Sequence, residues 1–283
     1  MANNTYPCIW MDGTAAEAAN LYTQAFPNCN IISNNGMVVN FAINGRKIML
    51  LNGGPLFKIT PALSMMVNFS SAEAIESAWN QLAEGGKIMM PLNQYPWAEK
   101  YGWVVDRFGM TWQLMLGDLP AGASTVNPCF LFVGAQYGNA VAAMQHYAGI
   151  LKETKIIHTD FYTAAEQPME GKLRFGQFTI GTQIFNIMDG FGGHEFDFNE
   201  AVSIVVECEN QDEIDHYWNE LTKGGSESQC GWLKDQFGVS WQIIPKVLAS
   251  LMSDPAKAQK VIQAFLPMKK MIIADLIAAA EKE

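Results

Sequence analysis

Apolar and polar positions along this chain follow two periods, and the order in which those periods occur repeats. Tyr6–Asp12 is a short apolar run that reads as a strand. Thr14-Ala-Ala-Glu17 has the spacing of a capping box, and Ala18, Leu21, Tyr22 and Ala25 then recur at helical spacing. Met37–Ile43 and Lys47–Leu51 read as strands on either side of Asn44-Gly45, a two-residue hairpin turn. Asn52-Gly53-Gly54-Pro55 breaks the sheet. A second round follows in the same order. Leu63–Phe69 is a strand, Ser70-Ser71-Ala72-Glu73 opens a helix buried on Ile75, Trp79 and Leu82, and Gly85-Gly86 ends it. Strands near Trp103–Val105 and Thr111–Leu116 are joined by a turn at Phe108-Gly109.

The whole plan then recurs. Trp103–Gln113 (WVVDRFGMTWQ) returns as Trp232–Gln242 (WLKDQFGVSWQ), with Trp103/Trp232, Asp106/Asp235, Phe108/Phe237, Gly109/Gly238, Trp112/Trp241 and Gln113/Gln242 identical. Ala62–Gly86 matches Ala201–Gly225, including Ile75/Ile214, Trp79/Trp218 and Leu82/Leu221 on the buried helix face. A tandem duplication accounts for both blocks. The offset is 139 from Ala62 to Ala201 but 129 from Trp103 to Trp232, so the first copy carries an insertion within MPLNQYPWAEKYG. The expected organisation is a domain over 1–118, a linker at 119–126, a domain over 127–246 and a helical extension over 247–283. In the extension, Asp254-Pro255 starts one helix carrying Val261, Ile262, Phe265 and Leu266. Met268, Met271, Ile272, Leu276 and Ala279 form a second amphipathic stripe. Helices this short are expected to dock on the body of the chain or on a second subunit.

The length of 283 residues suffices for two cores, and 49 % hydrophobic residues fit a globular chain. A net charge of −10 disfavours nucleic acid and anionic membrane surfaces as partners. No apolar run approaches the roughly 18–20 residues a bilayer span needs, and the N-terminus lacks a secretory pattern. Five cysteines without a CxxC pair suit a reduced, cytoplasmic protein with buried thiols.

A β-α-β-β-β unit used twice per domain resembles the vicinal oxygen chelate, or glyoxalase-like, superfamily. NQLAEGGKIMMPLNQYPWAEKYGWVVDRFGMTWQLM resembles the signature of PhnB-like proteins. WNELTKGGSESQCGWLKDQFGVSWQIIP with SDPAKAQKVIQAFLPMKK resembles the sister group called 3-demethylubiquinone-9 3-methyltransferase. The resemblance implies an α+β fold of two tandem domains, each of paired units forming a curved mixed-sheet cup. Metal-using members hold a divalent ion in that cup through His and Glu on four strands. Carried onto this chain, the closing-strand glutamate falls at Gln113 and Gln242, the opening-strand histidine near Tyr6 and Asn127, and a third ligand at Ala62 and Ala201. An amide or a methyl group does not replace a carboxylate or imidazole on a transition metal, so neither a metal nor another cofactor is expected. The methyltransferase name also finds no support. Gly53-Gly54, Gly85-Gly86 and Gly192-Gly193 read as turns or helix stops rather than as a dinucleotide-type phosphate loop.

Strand parity predicts the cup lining. Residues in phase with Gln113 give Tyr6, Cys8, Trp10, Ala62, Ser64, Met66, Thr111 and Met115 in one copy. The other copy gives Asn127, Cys129, Leu131, Ala201, Ser203, Ser240, Gln242 and Ile244. The lists are mostly apolar with a few amides and hydroxyls, as pockets for small organic ligands are. The inserted Tyr95, Trp97 and Tyr101 either stack on a ligand or close a hydrophobic edge. The two halves either build a cup each or complete each other's. All four histidines (His146, His158, His194, His216) lie in the second half; His194 with Glu195 is the candidate catalytic pair. Three functions therefore compete: a metal-independent binder of a small organic ligand, an enzyme of lyase, isomerase or transferase type with an unusual site, and an assembly protein whose tail makes a homodimer.

Overall fold

The computed structural model describes residues 5–118 and 124–282. The first repeat unit runs β1 (Thr5–Met11), α1 (Ala15–Ala25), β2 (Cys29–Asn34), β3 (Val38–Ile43) and β4 (Arg46–Asn52). The second runs β5 (Leu63–Phe69), α2 (Ala72–Ala83), β6 (Lys87–Tyr95), β7 (Ala98–Val105) and β8 (Thr111–Leu116). The third comprises β9 (Ser124–Phe132), α3 (Ala140–Ile150), β10 (Thr154–Phe161), β11 (Leu173–Ile180) and β12 (Gln183–Asp189). The fourth comprises β13 (Val202–Cys208), α4 (Gln211–Leu221), β14 (Ser226–Glu227), β15 (Trp232–Lys234) and β16 (Ser240–Pro245). The tail is α5 (Val247–Leu251), α6 (Pro255–Phe265) and α7 (Ile273–Glu281). Of the expected linker, residues 119–123 lie outside the described residues and 124–126 are already strand. The fold is α+β, built from four β-α-β-β-β units that pair into two mixed sheets.

Neither sheet belongs to one half. One has the order β14-β15-β16-β13-β1-β4-β3-β2, the other β10-β11-β12-β9-β5-β8-β7-β6. Each therefore joins one unit of the first half to one unit of the second, through the antiparallel pairs β1–β13 (Cys8 opposite Ser203) and β5–β9 (Ser64 opposite Cys129). Of the two arrangements open to the sequence, the halves complete each other's sheets.

Alternation along the strands explains the layering. Ile9, Met11, Phe41, Leu50, Ile204 and Ile243 of one sheet, and Met65, Val67, Trp112, Phe130 and Ile187 of the other, share one continuous core with the buried faces of α1, α2, α3 and α4. Tyr22 of α1 packs edge-on against Trp112 of β8 with ring centroids 4.9 Å apart, and Phe26 stacks near Phe69 at 6.3 Å. The four helices thus fill the space between the sheets, and each sheet turns its other face, the cup face, away from them.

Local expectations met mixed outcomes. Asn44 and Gly45 both have positive φ, as the β3–β4 hairpin turn requires. Ser71 Oγ accepts from Ala74 N and caps α2. The Thr14 side chain does not cap α1. Asn52 at the end of β4 does so instead, its Oδ1 accepting from Ala15 N at 3.0 Å. Asp189 is its counterpart in the second half, accepting from Gly138 N, Ala140 N and Leu173 N. The aromatic insertion lengthens β6 and β7 into a hairpin with Tyr95 opposite Ala98. In the tail, Met268–Ile272 precede α7 rather than join it.

The tail docks on the chain itself. Val261, Met271, Leu276 and Ala280 bury against Cys230, Ile244 and Leu248. Cys230 N and Gly231 N donate to the carbonyls of Met268 and Lys269. In the other sheet the outer half of β6 lies beside the equivalent residues, Tyr101 and Gly102. The tail therefore occupies the place that the longer hairpin takes in the first copy. Among the described residues, no helix is long and apolar enough to cross a membrane.

Candidate functional site

The repeated block divides into scaffold and site. Asp106 is buried and collects four hydrogen bonds: Tyr22 Oη (2.8 Å), Trp112 Nε1 (2.9 Å), Phe108 N (2.8 Å) and Met110 N (3.0 Å). Asp235 repeats the set with Tyr147 Oη, Trp241 Nε1, Phe237 N and Val239 N. Burial raises both carboxyls above their usual range while the donors pull them back. Gly109 and Gly238 take the positive φ that closes the turn. The two ends of the block, Trp103 and Gln113, are left as direct cross-strand partners on the cup face, as are Trp232 and Gln242. The motif is a device that aims one glutamine and one tryptophan into each cup.

The cup on the sheet that ends in β6 is the insertion cup. On its floor, Tyr101 Oη donates to Gln113 Oε1 (2.7 Å), and Gln113 Nε2 donates to Ser64 Oγ (2.8 Å). Burial pushes the Cys129 thiol, opposite Ser64, up to about 12, although Gln113 and Ser64 pull it down. Gln177 Nε2 donates to Asn186 Oδ1, and Asn186 Nδ2 lies 3.1 Å from Met66 Sδ. Met90, Met115, Met188, Trp103 and Phe175 pack around this floor. At the rim, Trp97 stacks on Tyr95 (5.1 Å between centroids, 22° between planes) and meets Tyr101 edge-on. Among the described residues, three buried polar atoms on this face find no partner: Trp103 Nε1, Asn68 Oδ1 and Thr111 Oγ1.

The opposite cup, the tail cup, shares the floor but not the walls. Gln242 Nε2 donates to Ser203 Oγ (2.9 Å), and burial again pushes the Cys8 thiol up to about 12. Tyr6 Oη donates to Glu207 Oε1 (2.7 Å), and Lys47 pairs with the same oxygen while lying 3.7 Å above the Tyr6 ring. Burial, and then the Glu207 charge, raise the Tyr6 phenol above its usual range. Lys234 pairs with Glu200 at 2.9 Å. Trp10 donates Nε1 to the Gly54 carbonyl and packs edge-on against Phe57 and Trp232. A Cβ at Gly53 would fall 2.2 Å from the Trp10 ring, so only glycine lets that ring lie down. Ile244 belongs both to this floor and to the tail's apolar cluster, which makes the tail one wall of the cup.

The residues expected from parity separate into these two groups. Cys129, Asn127, Ser64, Gln113 and Trp97 fall to the insertion cup, and Cys8, Tyr6, Trp10, Ser203 and Gln242 to the tail cup. Each cup draws on both halves. Ala62 precedes β5 and joins the core on the helix side. His194 packs on Phe196 of its own crossover (5.1 Å), Phe196 leans on the helix-side core, and Glu195 is exposed. His146 contacts Phe237, His216 contacts the Ile150 carbonyl, and His158 on β10 lies opposite Gln177 and meets Phe175 at the edge of the insertion cup (6.1 Å), so the histidines are not gathered. Asn186, Met188, Met90 and Lys47 were not foreseen. Trp103 could have been, because a hairpin about Phe108-Gly109 sets it opposite Gln113.

Register also completes the metal comparison. Ser203 lies opposite Cys8; two residues further along each strand, Val205 pairs with Gln242 and Trp10 with Leu51. The same construction in the insertion cup pairs Met66 with Gln113 and Leu131 with Met188. The positions around each floor are thus Cys8, Leu51, Ser203 and Gln242, and Cys129, Met188, Ser64 and Gln113. Tyr6 and Asn127 lie one pair away. Protonated thiol, hydroxyl, amide and an apolar or thioether side chain do not fit the ion held by metal-using superfamily members. Among the described residues, no three His, Cys, Asp or Glu side chains group as metal ligands.

Comparison with known proteins agrees with this architecture. None of the curated proteins matches the chain. A PhnB protein from Bacillus cereus is 34 % identical over 39 % of this chain and 96 % of its own, with a TM-score of 0.37. Glyoxalase I from Zea mays is 11 % identical, covers 85 % of this chain and 91 % of its own, and has a TM-score of 0.56, a likeness of fold. The family model described as 3-demethylubiquinone-9 3-methyltransferase matches residues 3–115 and again 124–244. The chain therefore belongs to the 3-demethylubiquinone-9 3-methyltransferase, or PhnB-like, family, in a tandem two-domain form with the glyoxalase-like fold.

Proposed function

We propose that this protein binds a small organic molecule without a metal ion, and that the insertion cup is its site. The observation that carries the reading is Gln113. Both ends of its amide are engaged by Tyr101 and Ser64 at the position where metal-using members of the superfamily carry a glutamate. Around it stand thioethers and aromatic rings, the adaptable apolar lining that suits an organic guest. The tail cup is the weaker candidate, because ion pairs and its own tail occupy its walls.

The family name does not transfer a methyl-group chemistry to these residues. Gly53-Gly54 follow β4 and lead into a crossover, Gly85-Gly86 end α2, and Gly192-Gly193 lie in the second crossover. None opens a helix from a parallel strand, as a nucleotide-type cofactor site would. Among the described residues, His194 packs on Phe196 of its own crossover, which lends the enzyme reading built on His194 and Glu195 no support from either cup.

Titration of the full chain against a broad panel of neutral and charged metabolites tests the proposal, with tryptophan fluorescence and calorimetry as readouts. Saturable binding at one site per chain, weakened about tenfold or more by Trp97→Ala, is expected. Elemental analysis runs beside it. A zinc, nickel, manganese or iron ion held stoichiometrically and lost in Gln113→Leu would refute the metal-free reading.

A further inference from the structure

The chemistry of the insertion cup narrows its guest, an inference that rests on the binding function just proposed. Three features converge on one face. The floor residues Ser64, Met66, Gln113, Cys129 and Asn186 carry no charge near neutrality, Cys129 being held as the thiol. A carboxylate or phosphate seated on that floor would lose its water with no cation among those side chains, Lys155 and His158 standing out on the edge strand β10, whereas the tail cup keeps Lys47 and Lys234 on its cup face. Second, buried polar groups nearly always find a partner, and here three near Gln113 have none among the described residues. Trp103 is its cross-strand partner on β7, Thr111 precedes it by two on β8, and Asn68 lies beside Met115 on β5. The indole N–H can only donate, and Asn68 Oδ1 can only accept. Third, Trp97 is 61 % exposed and nearly parallel to Tyr95, so its outer face is free to cover a flat guest at the mouth of the cup.

We infer that the insertion cup takes a neutral, planar aromatic molecule bearing a carbonyl-type acceptor, with Trp103 Nε1 donating to that acceptor and Trp97 covering the ring. Asn68 Oδ1 accepts from a hydroxyl or amide N–H on the same guest. The Met66, Met90, Met115 and Met188 thioethers contact the ring without dictating its outline, which permits a class of guests rather than one.

Calorimetry on the full chain with three probes of one shape tests this: 2-naphthamide (neutral, carbonyl acceptor and N–H donor), 2-naphthoate (the anion) and 2-ethylnaphthalene (neither). Naphthamide is expected to bind at one site per chain and naphthoate at least a hundredfold more weakly. Trp103→Phe is expected to weaken naphthamide about tenfold and leave ethylnaphthalene unchanged. Trp97→Ala, at an exposed rim position, is expected to weaken both and serves as the variant whose folding is least at risk. Equal affinity for naphthoate, or an unchanged naphthamide affinity in folded Trp103→Phe, overturns the inference. If none of the three binds while the metabolite panel yields a guest of another class, this inference fails and the binding function stands. If the panel is also blank, both fail.

Discussion

At the residue scale the decisive side chains are the floor glutamines, and they can be tested as amides. Gln113→Glu keeps an acceptor for Tyr101 but removes the donor to Ser64 and buries a charge with no cation beside it. The introduced carboxyl will have a folded pKa above its unfolded value. Its penalty is therefore small at low pH and grows as pH rises through the folded pKa. Urea unfolding should show a loss of about 3 kcal/mol at pH 8, shrinking to about 1 kcal/mol at pH 4; a pH-independent loss would mean that a cation neutralises the site. The thiols give a second test. With Cys8 and Cys129 pushed up to about 12, native protein at pH 8 should alkylate with iodoacetamide at these two positions roughly a thousandfold more slowly than unfolded chain, read by peptide mass. Most of this floor was legible in the sequence. Period-two alternation alone puts Cys8, Ser64, Cys129, Ser203, Gln113 and Gln242 on one face. Leu51, Met188 and Asn186 were not legible, because periodicity says which face a residue takes but not which distant strand lies beside it. His194 shows the opposite limit: a reactive residue type beside a glycine turn carries no geometry, and its ring packs on Phe196 of the crossover.

Elements differ in how loudly the sequence announces them. Helices α2 and α4 have one buried face at 0, 4 and 7 spacing, and their periodicity identified them. Strands β2 and β6 lie at sheet edges and are largely exposed, so no alternation marks them in the sequence. The same exposure leaves the inserted hairpin unmarked in the sequence. Helix α1 shows a subtler failure: its capping-box spacing is present, yet the cap arrives from Asn52, 37 residues along the chain. Asn52 Nδ2 also donates to the Gly36 carbonyl, so one amide fastens the end of β4 to α1 and to the β2–β3 turn. Chemical denaturation should accordingly show Asn52→Ala losing about 1–2 kcal/mol while Thr14→Ala changes stability by less than about 0.5 kcal/mol. The reverse order would restore the local cap.

For the whole molecule, the repeat seen in sequence and the sheets seen in space divide the chain differently. Similarity cuts it near residue 120, but the strand pairs β1–β13 and β5–β9 cross that cut, and each cup borrows its floor from both sides of it. This distribution frees one cup to change while the other keeps the shared scaffold. The insertion cup gained a long aromatic hairpin, whereas the tail cup kept β14 and β15 short and took α6 and α7 as a wall. The division also makes a definite prediction about association. A first half alone, residues 1–118, would leave the inner edges of β1 and β5 unpaired, and both strands are almost entirely buried in the full chain. The edge of β1 in one copy can pair with that of β5 in another in the antiparallel sense that β13 and β9 now provide, and two such pairings close a symmetric dimer. Light scattering should therefore give the isolated half twice its chain mass. Co-expression of 1–118 with 124–283 as separate chains should instead yield a one-to-one complex, because that partnership alone restores the tail to its seat against Cys230 and Ile244. A folded, monomeric first half would mean that β1 can pair with β5 within one copy, and the two-way sharing of cups would then be a choice of this chain rather than a requirement of its units.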